Sequence, residues 1–264
     1  MFPADFEGKL SGLLRLHMHE RIDLGCSGAE VFYLPDLAAY LKVGMIDKNS
    51  DLGGERNVLE WINGKLDVPK ILNYERSGET ESLLISEVVG IPASQYVSVE
   101  GGTLETIRDF LKKAASRMRE IHKIPIAGCP LDQRLDVKLA KAWRNIHLGF
   151  VDEADFESEN LGKTAIEIFR ELEIDLPQTE DLVFTHGDFC LPNIIVRENE
   201  IAGFIDMDRG GVADRYQDIA VFLRSFQSNV AVNIDFDVVF CKAYGLESLD
   251  RYKLNFYRKL DELF

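Results

Sequence analysis

The stretch between residues 182 and 206 constrains the fold most, because polar residues there follow short apolar runs at regular intervals. The apolar runs have the length and composition of short buried strands, and they cover residues 182–184, 194–196 and 201–205. Asp188 follows the first run, Asn193 precedes the second, and Asp206 comes directly after the third. The sequence therefore predicts a loop-strand-turn-strand unit that places these three side chains beside one another.

This set of three polar residues has the composition of a phosphoryl-transfer site of the kinase type. In such a site Asp188 would accept the proton of the acceptor hydroxyl, and Asn193 and Asp206 would hold Mg²⁺ against the phosphates. Aspartate and asparagine are also common turn residues, so the spacing alone is compatible with plain turn chemistry. The chemical interpretation gains weight from the preceding His186-Gly187 and from a lysine and a glutamate far upstream.

The upstream lysine is Lys42, which interrupts the apolar run of residues 38–43. Glu55 lies in the first turn of the predicted helix that follows. Protein kinases pair a strand lysine with a glutamate of the next helix, which aligns the ammonium group on the phosphates. The alternatives are a lysine that snorkels at a strand edge and a glutamate that only favours a helix N-terminus. We favour Glu55 over Glu60 as the partner of Lys42.

Taken together, the motifs resemble those of the bacterial aminoglycoside 3'-phosphotransferases, small-molecule kinases with the protein-kinase fold. The resemblance spans nearly the whole chain and includes His186-Gly187-Asp188 and Phe204-Ile205-Asp206. The segments that carry it are 41–43, 61, 64–72, 83–87, 183–188, 203–206, 209–220 and 260–264. It implies ATP-dependent O-phosphorylation of aminoglycoside antibiotics at the 3'-hydroxyl, with resistance as the outcome and with ATP and Mg²⁺ as cofactors.

The resemblance implies an α+β, bilobal protein-kinase-like fold. Residues 1–90 would form an N-terminal nucleotide-binding lobe, an antiparallel sheet with one main helix, and a hinge would lie near residues 88–93. Residues 91–264 would form a mostly helical C-terminal lobe with the catalytic and substrate-binding residues. Periodicity predicts a leading helix near Asp5 to Met18, a long helix from residue 104 to 121, and a helix from residue 214 to 226.

Several nucleotide contacts are implied by the same resemblance. The backbone at Ser86 and Val88 would bind the adenine edge, and Tyr40 would stack on its face unless it is a core aromatic. Ser27, in a loop without the glycine pattern of protein kinases, would contact a phosphate. The alternative for that loop is a simple hairpin turn.

The chain after Asp206 indicates a small acceptor, because it lacks the long activation segment of protein kinases. Asp208 adds a carboxylate there, and Arg209 would contact a phosphate or organise the acidic site. The resemblance implies a cationic substrate that binds in a pocket rich in carboxylates. The implied substrate contacts are Asp155, Glu157, Asp188, Arg209, Glu262 and the terminal carboxylate of Phe264. Alternatively, the acidic run at 151–159 is a solvated surface and the terminus is frayed.

Charge and composition restrict the partners. The net charge of −15 and the pI near 4.8 exclude a typical nucleic-acid-binding protein and suit a cationic substrate. The start of the chain lacks the layout of a signal peptide, and no apolar run is long enough for a membrane span, so we expect a cytoplasmic protein. We also expect it to be a monomer or a weak homodimer. Two functional alternatives stay open: a kinase for another small alcohol, such as a macrolide, choline-like compound or sugar, and a catalytically dead kinase-like binding module.

Overall fold

The computed structural model describes residues 10, 12–22, 28–46, 52–98, 103–230 and 235–264, and these form two compact units. The first unit takes in the described parts of Met1–Val89 together with Gly203–Asp208. The second takes in the described parts of Gly90–Ala202 and Arg209–Phe264. Within these ranges no helix is both long enough and apolar enough to cross a membrane.

An antiparallel sheet of five strands forms the first unit. The strands are β1 (Glu20–Ile22), β2 (Glu30–Leu34), β3 (Ala39–Met45), β4 (Ile71–Ser77) and β5 (Thr80–Ser86), and the helices are α1 (Leu13–Leu16) and α2 (Leu52–Ile62). The spatial order β1-β2-β3-β5-β4 makes β3 the central strand. Part of the predicted leading helix, residues 5–9 and 11, lies outside the described residues. Among those described, Leu13–Leu16 is helical and residues 17 and 18 are not.

The two faces of β3 have different environments because successive strand side chains point to opposite faces. Leu41 and Val43 lie in an apolar cluster that also contains Phe32, Leu34 and Leu84. Lys42 lies on the other face, directly opposite Leu83 of β5. Helix α2 packs against β3, β4 and β5 and buries residues at helical spacing, namely Leu52, Glu55, Val58, Leu59 and Ile62.

The second unit is mostly helical. Its helices are α3 (Ala93–Ser98), α4 (Leu104–Ile121), α5 (Leu135–Leu148), α6 (Ala165–Ile174), α7 (Tyr216–Asn229), α8 (Phe236–Tyr244) and α9 (Arg251–Asp261). Helix α4 packs on α8, and α7 packs on α9. Nearly every residue from Tyr216 to Phe226 is buried, so α7 forms the centre of this unit. Aromatic side chains fill the space around it, including Phe189, Phe222, Phe226 and Phe240.

Short strands carry the polar residues of the sequence motif. They are β6 (Ile91–Pro92), β7 (Leu182–Thr185), β8 (Ile194–Arg197), β9 (Glu200–Phe204) and β10 (Gly211–Asp214). Strands β8 and β9 are joined by Glu198 and Asn199, both with positive φ, as in a type I′ hairpin turn. A 3-10 helix, Leu191–Asn193, leads into β8.

Strand β10 and the start of α7 differ from the prediction from sequence. The predicted helix was to begin at Asp214, whereas residues Gly211–Asp214 pair antiparallel with β7 and α7 begins at Tyr216. Four residues are too few to show a period of two, and the pairing joins segments far apart in sequence, so local pattern could not reveal it. The pairing brings the residues after Asp206 back beside the end of β7.

Gly187 follows β7 at the place where the returning chain passes. Its φ is +89°, and a Cβ atom there would overlap the carbonyl group of Arg209. Only glycine combines this backbone conformation with such a close approach. The position therefore fixes the local path of the chain into Asp188.

Gly162 provides a matched control, because its φ is +87° and nothing lies within 4 Å of an added Cβ atom. We expect Gly162→Ala to lower the free energy of unfolding by about 1–2 kcal/mol, the cost of a left-handed alanine. Gly187→Ala should lower it by more, because the Arg209 backbone must also move. Denaturant titration of both variants measures this difference, and equal losses would show that the chain near Arg209 yields without cost.

Candidate active site

Lys42 and Glu55 form a buried ion pair in the first unit. Lys42 Nζ donates hydrogen bonds to Oε1 and Oε2 of Glu55 at 2.8 and 2.9 Å. The side chains are only 12% and 2% exposed. The same ammonium group also contacts a carboxylate oxygen of Asp206. The central strand, the helix that covers it and the segment after β9 therefore meet at one lysine.

Carboxyl groups outnumber the ammonium group around Lys42. Burial alone would lower the pKa of Lys42, but the carboxylates of Glu55 and Asp206 outweigh burial and raise it, so the ammonium group stays charged. Burial raises the pKa of Glu55 to about 7, against the attraction of Lys42, and the charges of Asp206 and Asp208 add to that rise. Lys42 thus contacts two carboxyl groups, and Asp208 adds a third negative charge close enough to act on Glu55, so this surplus of carboxyl groups suits a further cation.

Asp206 has an unusual backbone for a residue other than glycine, with φ at +57°. The preceding Phe204 donates its amide hydrogen to the carbonyl oxygen of Asp67 at 2.9 Å, which ties the end of β9 to the first unit. The Asp206 side chain is 49% exposed. A half-exposed carboxylate in a negatively charged surrounding is a suitable oxygen ligand for Mg²⁺, and residues held in rare backbone conformations cluster at functional sites.

Two candidate site residues, Asp188 and Asn193, lie in the loop between β7 and β8 of the second unit. Asn193 Nδ2 donates to the backbone oxygen of Asp188 at 3.1 Å and to its Oδ2 at 3.0 Å. This amide group fixes the orientation of the half-buried Asp188 carboxylate. Because its Nδ2 bonds Asp188, its Oδ1 acceptor points away from that carboxylate. The 3-10 turn before β8 makes this possible because it folds residues five apart onto each other.

Asp218 of α7 holds the same loop from behind. Its fully buried carboxylate accepts hydrogen bonds from the amides of His186 and Gly187, both at 2.8 Å, and contacts Nε2 of His122 at 3.0 Å. Burial alone would raise the pKa of Asp218, but His122, His186 and the backbone amide outweigh burial and lower it.

A second polar cluster lies where the 3-10 turn at residues Glu153–Asp155 and the end of α9 meet α7. Arg224 Nη2 lies 2.5 Å from Oδ2 of Asp261, and its Nε lies 3.6 Å from Oε1 of Glu157. Arg209 lies 3.7 Å from Asp261 and 5.5 Å from the centre of the Phe264 ring. The arginines therefore organise the acidic groups at this end of the second unit.

Glu262 lies beside this cluster with an incomplete hydrogen-bond set. Its Oε1 accepts a hydrogen bond from Asn160 at 2.7 Å. Its Oε2 is buried and, among the residues described, has no hydrogen-bond partner. Burial raises the pKa of Glu262, and the nearby charge of Glu157 acts in the same direction, while the Asn160 bond and the Glu157 backbone oppose the rise. A buried carboxylate oxygen without a donor is costly, so this atom is suited to receive a donor from a ligand.

Other predicted site residues have weaker or different surroundings. Tyr40 is half-buried and packs on Tyr33, with ring centres 4.9 Å apart. The Ser86 amide donates to Lys70, and its hydroxyl accepts from the Lys70 amide. Asp155 is exposed, and no ion pair within the described residues joins it to the Glu157 cluster. Ser27 lies outside the described residues.

The sequence analysis missed the residues that position the acidic cluster. Arg224 is the one basic residue in the apolar stretch from 219 to 226, a signal that could have identified it. Asn160 gave no comparable signal. Lys138 and Asn145 gave none either, although Lys138 Nζ lies 4.5 Å from the centre of the Phe264 ring and Asn145 Nδ2 donates to the Leu263 carbonyl at 3.0 Å.

Known proteins resemble this chain in both sequence and fold. The sequence pattern of the phosphotransferase enzyme family matches residues 38–255. An aminoglycoside 3'-phosphotransferase of Niallia circulans is 37% identical over 248 residues, which cover 91% of this chain and 90% of that relative. The structure of aminoglycoside phosphotransferase APH(3'')-Id from Streptomyces rimosus superposes with a TM-score of 0.85 at 27% identity and covers 97% of this chain and 98% of that one. The same enzyme in complex with ADP and streptomycin gives a TM-score of 0.80 at 27% identity, covering 96% and 97%.

The chain therefore belongs to the phosphotransferase enzyme family. Within that family its curated relatives are aminoglycoside 3'-phosphotransferases, three of which are 33–37% identical over about nine-tenths of the chain. The resemblance predicted from sequence and the predicted α+β kinase-like fold are both confirmed.

Asp206→Ala tests the metal assignment. We expect this variant to lose Mg²⁺-dependent ADP binding as well as turnover, because the carboxylate that would receive the metal is gone. Calorimetry of ADP binding with and without Mg²⁺ provides the measurement, and Asp67→Ala serves as a control because the bond that ties Asp67 to β9 comes from its backbone. Unchanged affinity for ADP in the presence of Mg²⁺ would remove Asp206 from the metal site.

Proposed function

We propose that this enzyme transfers the γ-phosphoryl group of ATP to the 3'-hydroxyl of an aminoglycoside antibiotic and so confers resistance, and that it acts in the cytoplasm. The family membership and the ADP and streptomycin complex of the Streptomyces rimosus enzyme support ATP as the donor and an aminoglycoside as the acceptor. The observation that carries the substrate class is the buried Oε2 of Glu262 beside Glu157, for which the described residues provide no hydrogen-bond donor. An ammonium group is the ligand that such an oxygen suits.

The proposed chemistry assigns a role to each candidate site residue. Asp188, oriented by Asn193, accepts the proton of the acceptor hydroxyl as that oxygen forms its bond to phosphorus and ADP leaves. Lys42, held by Glu55, aligns the donor phosphates. Asp206 and Asn193 would each supply an oxygen ligand for Mg²⁺, which neutralises charge on the phosphates when it is bound. The backbone at Ser86 and Val88 binds the adenine edge, and Tyr40 lies against its face.

The acceptor pocket works through charge. A carboxylate and an ammonium about 4 Å apart gain about 1 kcal/mol in water and about 4 kcal/mol at an effective dielectric constant of 20. Glu157, Asp261 and Glu262 supply carboxylates, and Arg224 and Arg209 hold two of them in place. The overall charge of −15 also favours the approach of a polycation.

A panel of acceptors tests the proposed reaction. ADP release should be stimulated by kanamycin-like and neomycin-like aminoglycosides and not by a macrolide or choline. Asp188→Ala should lower kcat by about 10²–10⁴-fold, the usual contribution of a general base, while ATP binding stays nearly unchanged. Turnover with a macrolide, choline or sugar alone would assign another acceptor, and ATP binding without any turnover would indicate a binding module.

Glu262→Gln tests the acidic pocket through pH. Because the pKa of Glu262 is raised, it takes up a proton at a higher pH than an ordinary glutamate, whereas aminoglycoside ammonium groups stay charged. We expect KM for the aminoglycoside to rise as the pH falls below neutrality, since protonation removes the charge of Glu262. In Glu262→Gln, KM should be higher at neutral pH and flatter with pH, with KM for ATP unchanged. Parallel pH profiles in the two proteins would place the titrating group elsewhere.

A further inference from the structure

Glu81 of β5 is a buried carboxylate that none of the proposed chemistry uses. Its side chain is 11% exposed, and its Oε2 accepts a hydrogen bond from the backbone amide of Gly53 at 2.9 Å. Gly53 is the second residue of α2, so the bond reaches one of the amides that a helix leaves unpaired in its first turn. A side chain of the sheet thus caps the helix that carries Glu55.

The register of the sheet places Glu81 on the same face as Lys42. Glu81 lies opposite Gly44, as Leu83 lies opposite Lys42, and alternate residues share a face. The sheet therefore presents two charged side chains to the first turn of α2. Lys42 binds the Glu55 carboxylate, and Glu81 binds the amide two residues earlier.

Further contacts keep this end of α2 against the sheet. The ring of Tyr74 on β4 lies 4.7 Å from the Arg56 guanidinium carbon of α2. Its hydroxyl is hydrogen-bonded with Glu81, and burial followed by the Glu81 charge raises the pKa of Tyr74. A Cβ atom on Gly53 would lie 3.4 Å from the Tyr74 hydroxyl and 3.6 Å from the Glu81 carboxylate. The helix start thus fits closely against these two side chains.

We propose that Glu81 is a positioning residue for nucleotide binding: by holding the first turn of α2, it sets Glu55 against Lys42. The inference rests on the proposed role of Lys42 towards the donor phosphates. A carboxylate is well suited to this task, because it bonds the exposed amide and also interacts favourably with the positive end of the helix dipole. Without it, α2 has one charged anchor on the sheet in place of two, and Glu55 is free to leave Lys42.

A double-mutant cycle tests this role, because residues that act through one another give non-additive effects. Glu81→Ala should weaken ATP binding about tenfold in the otherwise unchanged enzyme, a coupling of ordinary size for interacting groups. In a Glu55→Gln background the same substitution should change ATP binding by less than about twofold. Glu81→Gln, which keeps an acceptor oxygen but not the charge, should fall in between, and KM for the aminoglycoside should not change.

Glu79→Ala is the matched control, because Glu79 is an exposed carboxylate two residues earlier in the chain. It should bind ATP like the parent enzyme. Equal losses of ATP binding in the parent and Glu55→Gln backgrounds, or a lower melting temperature with unchanged ATP binding, would overturn the proposal. If Glu81→Ala does not fold, the cycle with Glu81→Gln decides in the same way. Failure of the parent enzyme to bind ATP would instead reject the proposed function.

Discussion

The loop between β7 and β8, which carries the proposed catalytic residue Asp188, depends on the buried carboxylate of Asp218. Removing a carboxylate from water is costly unless its lone pairs are bonded and its charge is balanced. Two amides of residues 186 and 187, together with the His122 imidazole, meet that need. The carboxylate therefore requires this one backbone path, and Gly187 is the residue that can follow it. Helix α7 therefore positions the backbone that leads into Asp188, and the Asn193 amide orients its carboxylate.

Each unit pairs a cation with two carboxylates. In the first, Lys42 is enclosed by Glu55 and Asp206, and in the second, Arg224 is enclosed by Glu157 and Asp261. In both places the carboxyl groups outnumber the local cation, so charge remains for a ligand to balance. Such sites are held ready before a ligand arrives, because their side chains already have partners that restrict their rotamers.

The candidate site residues that lie next to short apolar runs could be predicted from the sequence. Asp188, Asn193 and Asp206 stand at the ends of short apolar runs, and Lys42 interrupts another, so spacing and polarity identified them. The β7–β10 pairing was invisible because it joins residues more than twenty apart in four-residue strands. Asp155 and Glu157 looked equivalent in the acidic run, yet the turn at Glu153–Asp155 leaves Asp155 exposed and brings Glu157 to Arg224. Which carboxylate points inward is decided by tertiary contacts.

The two clusters of charge are possible because the surrounding core is strongly apolar. Phe222, Phe226 and Phe240 are fully buried in the second unit, and each such ring contributes about 1.5–3 kcal/mol by burial. Glu262 Oε2 has no hydrogen-bond partner in the part of the chain that the structure describes, and such a loss costs about 1–3 kcal/mol for an ordinary buried polar group. A ligand donor that completes this bond recovers the same free energy as affinity. In the proposed pocket, a donor group of the substrate would offset the cost of leaving this carboxylate oxygen without a partner.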